Sequence, residues 1–194
     1  MQEIMSNTES VKVTVFWEHL KNLHEQFVTK AIEIFNNGGD VTPQLFMVEM
    51  SDSGEIHHMA GCDPHSMHML MSDETGKEMF AAFIRDMFDA ESPVRIQMKE
   101  QKFNPNVMIQ INEAWMSMDA SFSKPQNDPE RKECVLVTIH TEFGSIPVMH
   151  FIEDKPKRHV VKEEFPDESV LGSYKGRFAI EEVKASDKKD KPLH

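Results

Sequence analysis

Four imidazoles, a thiol and a carboxylate fall within twelve residues of this chain: His57, His58, Cys62, Asp63, His65 and His68, in the run IHHMAGCDPHSMH. Each is a ligand type for a divalent transition metal such as zinc. A metal held by His58, Cys62, His65 and His68 could activate water for a hydrolase-like reaction. The spacings match no zinc ribbon, no finger and no helical HExxH pair. On a strand, His57 and His58 would point to opposite faces, so only one of them could join a common site. The glycine and proline around Cys62 could still fold the other ligands together. The competing reading is a solvated, acidic, histidine-rich loop.

A second group of candidates lies further on: Glu113, Asp119, Asp128, Glu130 and Glu133, with Arg131, Lys132, His140 and His150 nearby. Paired carboxylates beside a histidine could exchange protons with a substrate. His140 and His150, ten residues apart across a glycine turn, are read as a structural cross-strand pair rather than a catalytic one. The motifs of nucleotide-binding loops, nucleophile elbows and CxxC redox sites are missing from the sequence. That favours a non-enzymatic protein.

Charge points the same way. The formal net charge is −12, and residues 153–194 contribute nothing to it, carrying ten acids and ten bases. Between Glu49 and Ser92 ten acids face only Lys77 and Arg85, a local charge of −8. Such a field repels nucleic-acid backbones and suits a basic protein partner. Glu49, Asp52, Glu55, Asp73, Glu74 and Glu78 are the contact residues this reading selects. A solubilising acidic face is the plainer alternative.

The elements that must position these residues follow from periodicity. Val13, Phe16, Leu20, Leu23, Phe27, Ala31 and Ile34 lie three or four residues apart and predict a long helix over about 10–36, with Ser10 as its cap and Asn36-Asn37-Gly38-Gly39 as its end. Its seam admits a homodimer, although burial within the chain is the commoner outcome. Gln44–Met50 and Glu55–Ala60, joined by Ser51–Gly54, predict a hairpin. Residues 61–66 read as turn. Met79, Phe80, Phe83, Ile84, Met87 and Phe88 predict a second, strongly amphipathic helix over about 73–90, ended by Ser92-Pro93. Residues 94–103 read as a strand or a charged loop. Strands follow over about 107–118, 134–141 and 146–152, with weaker signals at 158–161 and 174–183.

Helix, hairpin, helix and a run of strands make an α+β domain over residues 1–183. Its sheet is mostly antiparallel, with room for one parallel pair across the second helix. Residues 184–194, rich in Lys and Asp, read as a disordered tail.

Asn112-Glu113-Ala114-Trp115, then Pro125, then Asp128-Pro129-Glu130-Arg131-Lys132-Glu133 and the strand Cys134-Val135-Leu136-Val137 loosely resemble a group of small bacterial and phage proteins. In these an EAW strand precedes a P…DPxRxE loop and a VLxV strand. The resemblance covers about 45 of 194 residues and brings no assigned activity. It implies a bacterial or phage source and an accessory role. Read physically, Arg131 could fork onto Glu113 or another carboxylate and pin the loop to the sheet.

With two cysteines, no secretory signal pattern and no long apolar run, the expected setting is cytoplasmic and away from membranes. The expectation is therefore an acidic binding or accessory protein with a basic partner and no cofactor. The alternative is a metal-dependent enzyme built on residues 57–68.

Overall fold

The computed structural model describes residues 2–118 and 127–170, with side chains from Phe16 onward. The expected strand at 174–183, the tail at 184–194 and the candidate Asp119 lie outside the described residues. Helix α1 (Gln2–Asn36) leads into the hairpin β1 (Gln44–Met50) and β2 (Ile56–Gly61). Three helices follow, α2 (Pro64–Met71), α3 (Glu74–Phe88) and α4 (Pro93–Glu100). The chain then forms β3 (Val107–Met116), β4 (Lys132–Thr141), β5 (Gly144–Glu153) and the short β6 (His159–Val160). The fold is α+β.

The six strands form one sheet in the order β2-β1-β3-β4-β5-β6, and every neighbouring pair is antiparallel. Among the described residues no parallel pair arises. The crossover through α2–α4 leaves β2 and returns at β3 on the far side of β1, so the two parallel strands are separated by the antiparallel strand between them.

Strand alternation gives the sheet two different faces. Val48, Val107, Ile109, Ile111, Val135, Val137, Ile139, Ile146 and Val148 belong to the face that receives α1. The helix meets it with Trp17, Leu20, Leu23, Val28, Ala31 and Phe35. Of the helix's expected apolar seam, Leu20, Leu23 and Ala31 are buried within the chain. The helix also begins well before residue 10, so Ser10 is not its cap. On the opposite face Leu45 and Met108 pack with Met67 of α2 and Phe80, Ile84 and Met87 of α3.

Two helices occupy stretches that read as turn, strand or loop. Asp63 caps α2 by accepting the Ser66 N–H at 2.8 Å, with Pro64 at the first helical position. Ser92 caps α4 in the same way through the Arg95 N–H at 3.0 Å, followed by Pro93. Each acid–proline or serine–proline pair begins a helix, because proline's missing N–H costs nothing there. Asp73 caps α3, accepting the Gly76 N–H at 2.7 Å.

Candidate functional site

The four proposed metal ligands lie on β2, on the link that follows it and on α2. His58 sits exposed on β2 and pairs with Glu49 at 3.1 Å. Cys62 is half-buried against the α2–α3 core, and that burial raises its thiol pKa. His65 and His68 are exposed on α2. Among the described residues no three His, Cys, Asp or Glu side chains group in a way that would hold a metal ion. Helix α2 is the physical reason. It extends the segment that a ligand loop would have to curl.

Among the described residues the carboxylates around the central strands do not converge either. Glu113 accepts the Val41 N–H at 2.9 Å, and Glu133 pairs with Arg158 at 2.6 Å. Asp128 is buried. One of its carboxylate oxygens accepts the Ser117 hydroxyl (2.6 Å) and the Met118 N–H (2.8 Å), and the other accepts the Glu130 N–H (2.8 Å). Asp128 is thus the pin of this loop. Arg131, expected to fork onto Glu113 or another carboxylate, lies over the indole of Trp115, 4.8 Å from the ring centroid. Trp115 itself is 50% exposed. It separates a groove of about 780 Å³, which reaches Lys77 and Asn112, from one of about 430 Å³, which reaches Glu133 and Glu163.

These placements predict a clear ranking. Asp128→Ala strips an exposed loop of three hydrogen bonds to its one buried carboxylate and should cost on the order of 3 kcal/mol. Arg131→Ala, at an exposed side chain whose cation–π contact with Trp115 is worth about 0.5–1 kcal/mol, should cost less. Urea denaturation of the two variants checks the order. Equal losses would return the pinning role to Arg131.

His140 and His150 do not face each other. His140 is opposite Ser145 and His150 opposite Val135, which puts the two imidazoles on opposite faces of the sheet. His140 accepts the Ser145 hydroxyl proton at Nδ1 (2.8 Å), and its Nε2 faces Gln110 Oε1 (3.4 Å). Gln110 in turn donates to Asn112 at 3.0 Å, which leaves its amide oxygen turned toward His140. On the α1 face, His150 Nδ1 accepts the Glu163 N–H (3.0 Å) and its Nε2 meets Nε2 of His24 at 3.4 Å. With His150 Nδ1 occupied as an acceptor, its proton lies on Nε2 and His24 accepts it. Burial holds all three imidazoles neutral, lowering His24 and His150 to about 4 and His140 to about 3. His24 and Lys162 add to the effect at His150, while Glu25 opposes it at both His24 and His150.

His24 was not selected from the sequence. The signal was present: it occupies the helical stripe Trp17-Leu20-His24-Val28-Ala31-Phe35, where an apolar side chain is expected. These groups are sealed in the two cores and form structural hydrogen-bond networks. Cys134, buried beside Glu133, is pushed up to about 12, so its thiol stays protonated and unreactive.

The acids selected for partner contact divide between two ends of the sheet. Asp52 and Glu55 lie in and just after the β1–β2 turn, beyond Met50. Asp73, Glu74 and Glu78 begin α3 next to Met71 and Ser72, which line the large groove together with Asn112. Asn112 follows Ile111, the partner of Gln44 at the opposite end of β1. Seven strand residues separate the two sets, a span of about 20 Å. Several carboxylates also have local work: Asp63 and Asp73 cap helices. Burial raises the Glu49 carboxyl, but the Asn104 N–H and the His58 ring outweigh it and leave the pKa below the ordinary value.

The chain matches no protein-family model, no curated protein and no solved structure. Among the described residues, no helix is long and apolar enough to cross a membrane.

Proposed function

We propose that this is a non-enzymatic binding or accessory protein that engages a basic protein through its acidic half. The observation that carries the reading is the disposition of charge. Asp52, Glu55, Asp63, Asp73, Glu74, Glu78, Asp89 and Glu91 are all exposed on the β1–β2 turn and on the helices that follow. This segment carries −8 in a chain of net −12. Carboxylates fixed at the starts of helices, as Asp63 and Asp73 are, present negative charge at defined positions rather than on flexible tails. A basic partner would be steered to this side and held in register by it.

The Asp52 and Glu55 end is the better candidate for direct contact, because neither carboxylate is committed to a helix cap. Replacing both with lysine is expected to weaken a basic partner roughly tenfold. Affinity for the wild-type protein should also fall steadily as ionic strength rises. Binding titrations across a salt series check both. An affinity indifferent to salt would end this reading. Metal-dependent hydrolysis is the lesser alternative, since Cys62 would have to leave its core contacts to join His58, His65 and His68. Elemental analysis of protein purified without a metal-affinity tag would revive it only by finding close to one metal per chain.

A further inference from the structure

We infer that the outer edge of β2 is a docking site for an extended segment of a partner, one in which apolar residues alternate with basic ones. The inference rests on the proposed binding role and gives it a place. Among the described residues no strand pairs with the outer side of β2, the first strand in the sheet order, and β2 is exposed along most of its length.

The direction of its free backbone groups is set by the ladder. The Cys62 N–H donates to the Leu45 carbonyl at 2.8 Å, and Val48 turns its carbonyl the other way, accepting the Asn106 N–H at 3.0 Å on the β3 side. Antiparallel alternation then directs Leu45, Met47 and Glu49 toward β2, and turns the N–H and C=O of Met59 and Gly61 outward. Those groups are ready-made partners for an added strand.

The two faces beside this edge differ in chemistry. On the α1 side, Phe27, Ile34, Phe46, Ile56 and Met59 line a groove of about 250 Å³ that ends on the buried Ile111. Ile56 and Met59 remain 40% and 54% exposed at its mouth. On the other side His58 lies over Glu49, with Asp52 and Glu55 at the end of the strand. A strand laid along β2 would place alternate side chains in the groove, where apolar groups are favoured. The intervening side chains would lie beside the carboxylates, where lysine or arginine is favoured.

A second copy of the chain fits less well. The register shift between Glu49 and Met50 makes His57 a bulge residue. Antiparallel pairing of two β2 strands centred on Met59 would set Gly61 of each copy against the bulged His57 of the other, ending the ladder at once. A flexible peptide can bend around that bulge, whereas a second folded sheet cannot.

The test uses the full chain and three short synthetic peptides in which valine alternates with lysine, threonine or glutamate. Hydrogen exchange at the Met59 and Gly61 amides is read by NMR. The lysine peptide is expected to protect both amides, with the threonine peptide weaker and the glutamate peptide inactive. Met59→Pro and Met59→Ala both remove the Met59 side chain, but only proline also removes the outward N–H, so the proline variant should bind the lysine peptide about tenfold more weakly than the alanine variant, the worth of one net hydrogen bond. Thermal melting would confirm that both variants stay folded.

Failure of all three peptides to protect these amides overturns the edge site, while salt-dependent binding of a basic partner elsewhere would leave the proposed function standing. Equal protection by all three keeps the edge site and removes the basic-partner reading. Protection that appears with protein concentration alone assigns the edge to a second copy and overturns the inference.

Discussion

Acidification should destabilise this protein progressively below about pH 6.5, driven by three buried imidazoles. His24, His140 and His150 are neutral in the fold because burial lowers their pKa values to about 4, about 3 and about 4. In the unfolded chain each titrates near about 6.5. Below that value the unfolded state binds protons that the folded state refuses, so stability is full above about pH 6.5 and declines as pH falls toward about 4. At about 1.36 kcal/mol per unit, each imidazole removes on the order of 3 kcal/mol across the window. Together they rival the 5–15 kcal/mol that typically holds a domain folded.

The damage should begin where His24 meets His150. Protonating His24 sets a new N–H against the Nε2 proton of His150, and protonating His150 at Nδ1 sets one against the Glu163 N–H. The segment after β6 lies against this pair. Phe165 contacts both His24 and Trp17, and the Trp17 indole donates to the Pro166 carbonyl at 3.1 Å. Near-ultraviolet circular dichroism, with Trp17 as a buried reporter, tracks the loss. Replacing His24 and His150 with glutamine should carry the midpoint to lower pH. A midpoint that stays in place would put the trigger on the carboxylates instead.

The second large effect is expected at Gly76. A Cβ built there would lie 1.9 Å from the Leu70 carbonyl oxygen and 2.8 Å from its carbon. The obstacle is backbone, so no rotamer change relieves it. Nor can the start of α3 slide away, because the Asp73 carboxylate holds the Gly76 N–H at 2.7 Å. Gly76→Ala must therefore separate α2 from α3 and loosen Met67, Phe80 and Ile84 from Leu45 and Met108. A loss on the order of 3 kcal/mol is expected.

Gly38→Ala supplies the contrast. Nothing lies within 4 Å of its Cβ, but its φ is +86°, so only the backbone preference is lost, about 1 kcal/mol. Thermal melts of the two variants separate steric from conformational cost. Similar losses at both positions would mean that the α2–α3 contact yields easily.

The order of elements was legible where periodicity was strong. The stripe of α3, the alternation of β3, β4 and β5 and the hairpin ahead of them can all be read from the spacing of apolar residues, because one face of each element must be buried. Dipeptide signals were less decisive. Asp63-Pro64 and Ser92-Pro93 open helices, while Asp128-Pro129 forms a loop closed on Asp128 itself. The local chemistry of the three pairs is nearly the same. The residues C-terminal to each pair, and the surface against which they pack, decide the outcome.

The residues whose types suggested chemistry were in full view in the sequence, but their convergence was not. Sequence by itself determined the charge, the acidic segment and the apolar faces, since these depend on composition and period alone. Tertiary structure decided that His57–His68 spreads from an edge strand onto a helix, and that His140 and His150 part to opposite faces of the sheet. It also brought His24 to His150 across 126 residues. Such pairings depend on strand register and on which helix covers which face. Neither is encoded in the neighbourhood of the residues concerned.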